Sequence, residues 1–272
     1  TTIHGTDVDT SGYSTYSSGG ETDEPYEIVS PYSASELASA DGGEFNVDFV
    51  QTGDVIYIAH RDGTIPVQKL SRTSVGVWSF SEVIPSGGPL LDVNLTDTTV
   101  YATAATGTTT LTASASVFVA GDVGSLIRVD EEEITATNEW ELSTAYSIGD
   151  YVRSDGKEYQ ATTAGTSGTN PPSHTTGVVT DGVVKWEYIS PGYGIARITA
   201  QSGTTATIEV LTTFPQTLVG SANVSALWRR GAWSISNGYP RCVTFFRERL
   251  CFGQEQRLDM SNVGDFENFS VD

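Results

Sequence analysis

Short runs of β-branched and aromatic residues, each closed by a glycine- or serine-containing turn, most narrow what this chain can fold into. Asp54-Val55-Ile56-Tyr57-Ile58-Ala59-His60 runs into Arg61-Asp62-Gly63. Valine, isoleucine, tyrosine and threonine suit a pleated, half-buried surface, and glycine and serine supply the turns between such pieces. Residues 66–72, 77–80, 98–118 with a turn at Thr106-Gly107, 125–129, 194–200 and 204–211 read in the same way, with a turn at Ser202-Gly203. So do residues 224–228, 241–246 and 249–252. No stretch longer than about 12 residues keeps a strong helical spacing of apolar positions. Only Ser33-Ala34-Ser35-Glu36-Leu37-Ala38 reads as a helical turn, with a serine cap and an acid in its first turn. The expectation is an all-β chain with a multi-stranded antiparallel β core, a propeller-like or sandwich-like platform.

That texture breaks once. From about residue 138 the Thr/Val pattern gives way to Trp140, Tyr146, Tyr151, Tyr159, Trp186 and Tyr188 around a Gly/Ser/Thr/Pro loop. It returns after Pro191-Gly192. An insertion between two strands of one β domain explains both changes, and its two ends must then be neighbours in space. The expected organisation is a polar arm or loop at residues 1–24, a discontinuous β core at 25–137 and 193–272, and a small inserted β domain at 138–192.

Charge and motif content exclude several function classes. The 272 residues carry 34 acidic and 14 basic side chains, a net charge of −20. Such a surface repels a phosphate backbone, so specific nucleic-acid binding is not expected. No apolar run approaches the roughly 20 residues that span a bilayer. Cys242 and Cys251 fall diagonally across a tight hairpin if Arg247-Glu248 is its turn. Diagonal neighbours lie about 7–8 Å apart, so both are read as free, buried thiols. Asp7-Val8-Asp9-Thr10-Ser11-Gly12 matches half of a calcium loop, but Ser18 stands where a bidentate glutamate is needed. His4, His60 and His174 are isolated, and Pro191-Gly192-Tyr193-Gly194 lacks the third glycine of a dinucleotide loop. Asp130-Glu131-Glu132-Glu133 cannot converge on one metal ion, because strand neighbours alternate faces, and it reads as a solvated loop. Two carboxylates in a cleft could serve a glycosidase, but no set of residues with named roles assembles. No catalytic residue, metal or cofactor is therefore assigned, and the chain is not expected to be an enzyme.

Several segments, in order, resemble the tail nozzle or tail tubular proteins of short-tailed bacteriophages. They begin with Pro25-Tyr26-Glu27-Ile28, Pro31-Tyr32 and Glu36-Leu37, followed by 49–60, Pro66, Leu70-Ser71-Arg72, Trp78 and Gly88-Pro89. The most specific are Trp233-Ser234, Gly238-Tyr239-Pro240-Arg241, Val243-Thr244-Phe245, Arg249-Leu250-Cys251-Phe252-Gly253 and 261–269. The matches cover most of 25–137 and 193–272. The resemblance implies a structural ring in the tail conduit, below the portal and adaptor, to which this chain contributes as an N-terminal portion. It also implies a virion location after synthesis in the bacterial cytoplasm. The implied partners are further copies of the chain in a ring, neighbouring tail proteins such as adaptor and fibres, and double-stranded DNA that passes without specific binding.

The insertion has its own resemblance. Trp140, 145–152, Gly156-Lys157-Glu158-Tyr159-Gln160-Ala161, Pro171-Pro172 and 181–186 are similar to the small chitin-binding modules attached to bacterial chitinases. Trp140, Tyr146, Tyr159 and Trp186 are expected in its core. Modules of that kind carry a pair of exposed aromatics after the Tyr-x-Ala segment, where this chain has Thr162 and Thr163. Tyr151, Tyr188 and Tyr193 are the remaining candidates for contact with a host-surface glycan. The alternatives to a conduit role are a carbohydrate-binding protein without one, or a glycan-degrading tail enzyme.

Overall fold

A computed structural model describes residues 28–38, 45–74, 77–132 and 138–270. The arm at 1–24 with its half calcium loop, Pro25-Tyr26-Glu27 and Glu133 lie outside the described residues. The chain is all-β, apart from one short α-helix and brief 3-10 turns. It divides into two compact units, residues 1–87 with 237–272, and residues 88–236. The segments flanking 138–192 contribute to both.

In the first unit, helix α1 (Ala34–Leu37) opens on a capping box. The Ser33 hydroxyl accepts the Glu36 amide at 3.3 Å, and the Glu36 carboxylate accepts the Ser33 amide at 2.7 Å. Each satisfies a donor that the first helical turn leaves without a partner. Strands β1 (Val47–Thr52), β2 (Val55–His60), β3 (Gln68–Ser74) and β4 (Val77–Glu82) form an antiparallel meander in that order. One face buries Tyr57 and Ala59. The Tyr57 hydroxyl reaches Glu267 at 3.2 Å, and the same carboxylate pairs with Lys69 at 2.6 Å.

The second unit begins with β5 (Val100–Ala102), β6 (Thr108–Ala113) and β7 (Leu126–Asp130). The region from 138 adds β8 (Asn138–Glu139), β9 (Ala145–Tyr146), β10 (Tyr151–Ser154), β11 (Lys157–Thr163), β12 (Gly165–Thr166), β13 (Val178–Asp181) and β14 (Val184–Ser190). Strands β15 (Tyr193–Gln201), β16 (Thr205–Thr212) and β17 (Trp228–Arg230) complete the unit. Six of these strands make one antiparallel sheet, ordered β17-β7-β15-β16-β6-β5. Its core is built from residues two apart on each strand, including Leu111 and Ala113, Ile127 and Val129, Ala196 and Ile198, and Ala206 and Ile208. Phe214 is fully buried over Gly194, where a Cβ would lie 2.4 Å from the ring. Only glycine lets that ring approach the strand.

The region between β7 and β15 forms a second five-stranded sheet, ordered β13-β14-β11-β10-β8, with β9 and β12 paired beside it. Every pairing of strands in the described chain is antiparallel except β8 with β10. This sheet has its own core of Val152, Tyr159, Ala161, Val184 and Trp186, with Trp140, Tyr146 and Tyr188 packed against it. Its two ends are neighbours. Asp130 pairs with Tyr193 across β7 and β15, and the Glu131 amide donates to the Gly192 carbonyl at 3.1 Å. The segment thus leaves and rejoins the six-stranded sheet at adjacent positions.

The chain then returns to the first unit with β18 (Cys242–Phe246), β19 (Arg249–Gln254) and β20 (Arg257–Met260). Arg247 and Glu248 both have positive φ, 47° and 60°, as a two-residue hairpin turn requires. Leu250 and Phe252 are fully buried, while Phe245 is half-buried against Phe266 and Tyr57. Both cysteines are free, but only Cys251 is buried. Cys242 is exposed, contrary to expectation, because it lies on the opposite side of β18 from Val243, which the hairpin buries. The strand expected over 224–228 starts only at Trp228, since Ser225 is spent on an isolated bridge to Val100.

Candidate functional site

The inserted sheet and its seat on the six-stranded sheet hold most of the residues singled out above. Tyr188 pairs with Tyr159 across β11 and β14, and their rings meet edge to face at 6.0 Å. Tyr188 is therefore on the core side of the inserted sheet and half-buried. Tyr159 is fully buried, and its hydroxyl donates to the His174 carbonyl at 2.7 Å. Burial pushes the Tyr159 hydroxyl up to about 12. Tyr193 belongs to β15, where the Arg128 guanidinium stacks 3.6 Å from its ring centre. Burial raises the Tyr188 hydroxyl, and the nearby Tyr193 raises it further. These two tyrosines thus come together.

Tyr151 stands apart from them. It pairs with Gln160, which pairs with Glu187, so the three form one row on the face opposite Tyr159 and Tyr188. Tyr151 is half-buried there, and its hydroxyl is raised by burial and then by Glu158 and Glu187. Thr162 and Thr163 are both half-buried, and the Thr162 hydroxyl donates to the Lys185 carbonyl at 3.2 Å. The three glycan-contact candidates therefore divide between two faces.

The same face of β10 and β11 carries the most unusual chemistry in the unit. Glu158 is fully buried, and its carboxylate accepts the Gln216 amide at 3.2 and 3.3 Å. Opposite it on β10 stands Arg153, whose Nε lies 3.1 Å from a Glu131 carboxylate oxygen. Neither that N–H nor Nη1 of Arg153 is aligned for a hydrogen bond among the described residues. Glu131 is also nearly buried and accepts a hydrogen bond from the Thr217 hydroxyl. Desolvation raises both carboxyls: Glu131 upward, in part offset by Thr217 and Arg153, and Glu158 to about 7. Two carboxyl groups thus face one guanidinium in a largely buried seam. A buried charge is costly unless paired, so the arrangement favours a proton on one of the acids, with Glu158 raised to about 7.

The acidic run that includes Glu131 is not the solvated loop that its sequence suggests. Asp130 closes β7 and pairs with Arg128 at 2.7 Å, Glu131 turns into the seam, and only Glu132 of the described three is exposed. Neighbouring acids do point in different directions, as strand geometry requires, but two of them find cationic partners. Nothing near Glu158 in the sequence foretells its burial. Lys157-Glu158 reads as a polar pair at the start of a strand, and the amide that covers it comes from a 3-10 turn 58 residues away.

Among the described residues no group of three or more His, Cys, Asp or Glu side chains is placed to hold a metal ion. No helix among them is long and apolar enough to cross a membrane. Compared with protein-family models and with curated proteins, the chain matches none.

Proposed function

We propose that this chain is a structural component of a bacteriophage tail, a subunit of a nozzle or tubular ring that conducts double-stranded DNA without gripping it. The ordered motifs from Ile28 to Phe269 suggest the family. The observation that carries the reading is the way the 138–190 sheet is mounted. It enters and leaves between two adjacent strands, has its own core, and leaves the six-stranded sheet continuous. A β sheet that carries an accessory module without interrupting its own strand order is built in this way. The net charge of −20 suits a wall that DNA must slide past, because every phosphate neutralised by a cation adds affinity that would stall it. Electron microscopy of phage particles decorated with an antibody to this chain tests the reading. Label at the tail, below the neck, is expected, whereas label confined to the capsid or absent from particles would overturn it.

A second role belongs to the module. The row Tyr151, Gln160 and Glu187 offers one aromatic face beside two groups that can hydrogen-bond hydroxyls, a workable surface for a sugar ring. A glycan array probed with the whole chain is expected to give signal that Tyr151→Ala abolishes and Tyr188→Phe does not. Binding unaffected by Tyr151→Ala would remove this role.

A further inference from the structure

We propose that Glu131, Arg153 and Glu158 form a proton-controlled latch that holds the 138–190 module on the six-stranded sheet. The three residues come from both sides of that junction. Glu131 follows β7 of the six-stranded sheet, while Arg153 and Glu158 stand opposite each other on β10 and β11 of the module. Gln216 and Thr217, which close over them, belong to the turn after β16. The latch therefore ties the module to its platform through side chains rather than through strand pairing.

Charge counting sets its behaviour. With both acids ionised the seam holds two negative charges and one positive charge, with Glu158 fully buried and the Glu131 side chain nearly so. With one proton bound it is neutral. The groups that face Glu158 are Arg153 and Tyr151 on β10 and Glu131 from the platform. Glu139 is a further, weaker influence on Glu131. Arg153 is thus the cation for both carboxyls, and its Nε and Nη1 are not aligned to bond either one.

The sign follows from linkage. The closed seam holds the Glu158 proton up to about pH 7, whereas an opened seam returns the group to an ordinary value near 4.5. The closed state is therefore fully favoured at pH values below the ordinary value. It loses that advantage progressively as the pH rises towards 7, and the loss is complete above it. Burial of Glu131 acts in the same direction. The module should sit firmly in mildly acid solution and open more often at and above neutrality.

Amide hydrogen exchange on the whole chain, corrected for intrinsic rates, tests this. In the unaltered protein the protection of residues 214–218 is expected to fall at least about tenfold between pH 5 and pH 8. Protection of 206–208 in β16 should change far less. Glu158→Gln keeps the shape and the acceptor for the Gln216 amide but cannot titrate, so it should flatten the dependence at 214–218. Equal protection at both pH values in the unaltered protein, or an unchanged dependence in Glu158→Gln, would overturn the latch. If that variant does not fold, a carbon-13 titration of the Glu158 carboxyl in the unaltered protein decides the matter. A midpoint near 7 supports the latch, and one below 5 contradicts it.

Discussion

At the scale of single residues, burial rather than residue type decides what each aromatic ring contributes. Phe252 is fully buried in the β18–β19 hairpin, whereas Phe245, on the neighbouring strand, is only half-buried. Phe252→Ala should cost about 3–5 kcal/mol, because removal of a buried ring leaves a cavity as well as losing transfer energy. Phe245→Ala should cost distinctly less, and chemical denaturation of both variants measures the difference. Equal costs would contradict the packing described. At Gly194 the opposite error is tested. Alanine there meets the Phe214 ring, so Gly194→Ala should destabilise by about 1–3 kcal/mol through overpacking, read in the same assay. Residues of this kind were partly legible. The apolar hairpin, its Arg247-Glu248 turn and the four module aromatics are written in local pattern. The seam at Glu131, Arg153 and Glu158 is not, since a charged residue on a strand reads as solvated until a distant turn covers it.

At the scale of elements, the strands with strong β-branched runs were visible because side-chain alternation and turn residues are local signals. Val55–His60, Leu126–Asp130, Tyr193–Gln201 and Thr205–Thr212 all stand close to where the pattern places them. Arg257–Met260 had no such signal: its residues alternate between charge and apolar character too briefly, and it exists because β19 offers it an edge. Beyond the neighbourhood of β7 and β15 that the insertion implied, the order of strands in the six-stranded sheet was not legible, because β17 and β5 join its edges from distant parts of the chain. The module makes a clean test of element independence. Replacing 138–191 with a Gly-Ser link should leave the rest of the chain with a cooperative thermal transition, and an insoluble or non-cooperative product would count against an independently packed insert. Conversely, Trp186 is fully buried in the module core. Trp186→Ala should cost about 3–5 kcal/mol, comparable with the whole stability of so small a domain. Hydrogen exchange should then show 145–190 unprotected while β6 and β16 stay protected.

At the scale of the whole molecule, a conduit role rests on charge and assembly. Of the described acids in the run at 130–132, Asp130 and Glu131 are engaged with arginines, and Glu132 is the exposed one, one of its oxygens accepting the Ala226 amide. If that position lines the lumen, Glu132→Lys should slow DNA release from assembled particles without reducing their number, and release at the ordinary rate would place Glu132 elsewhere. The most direct test of the central claim is the native mass of the intact protein. A conduit subunit is expected to give a closed ring, a single species at a fixed integer multiple of its own subunit mass, that persists on dilution. A monomer at every concentration, in the presence as in the absence of neighbouring tail proteins, would contradict it.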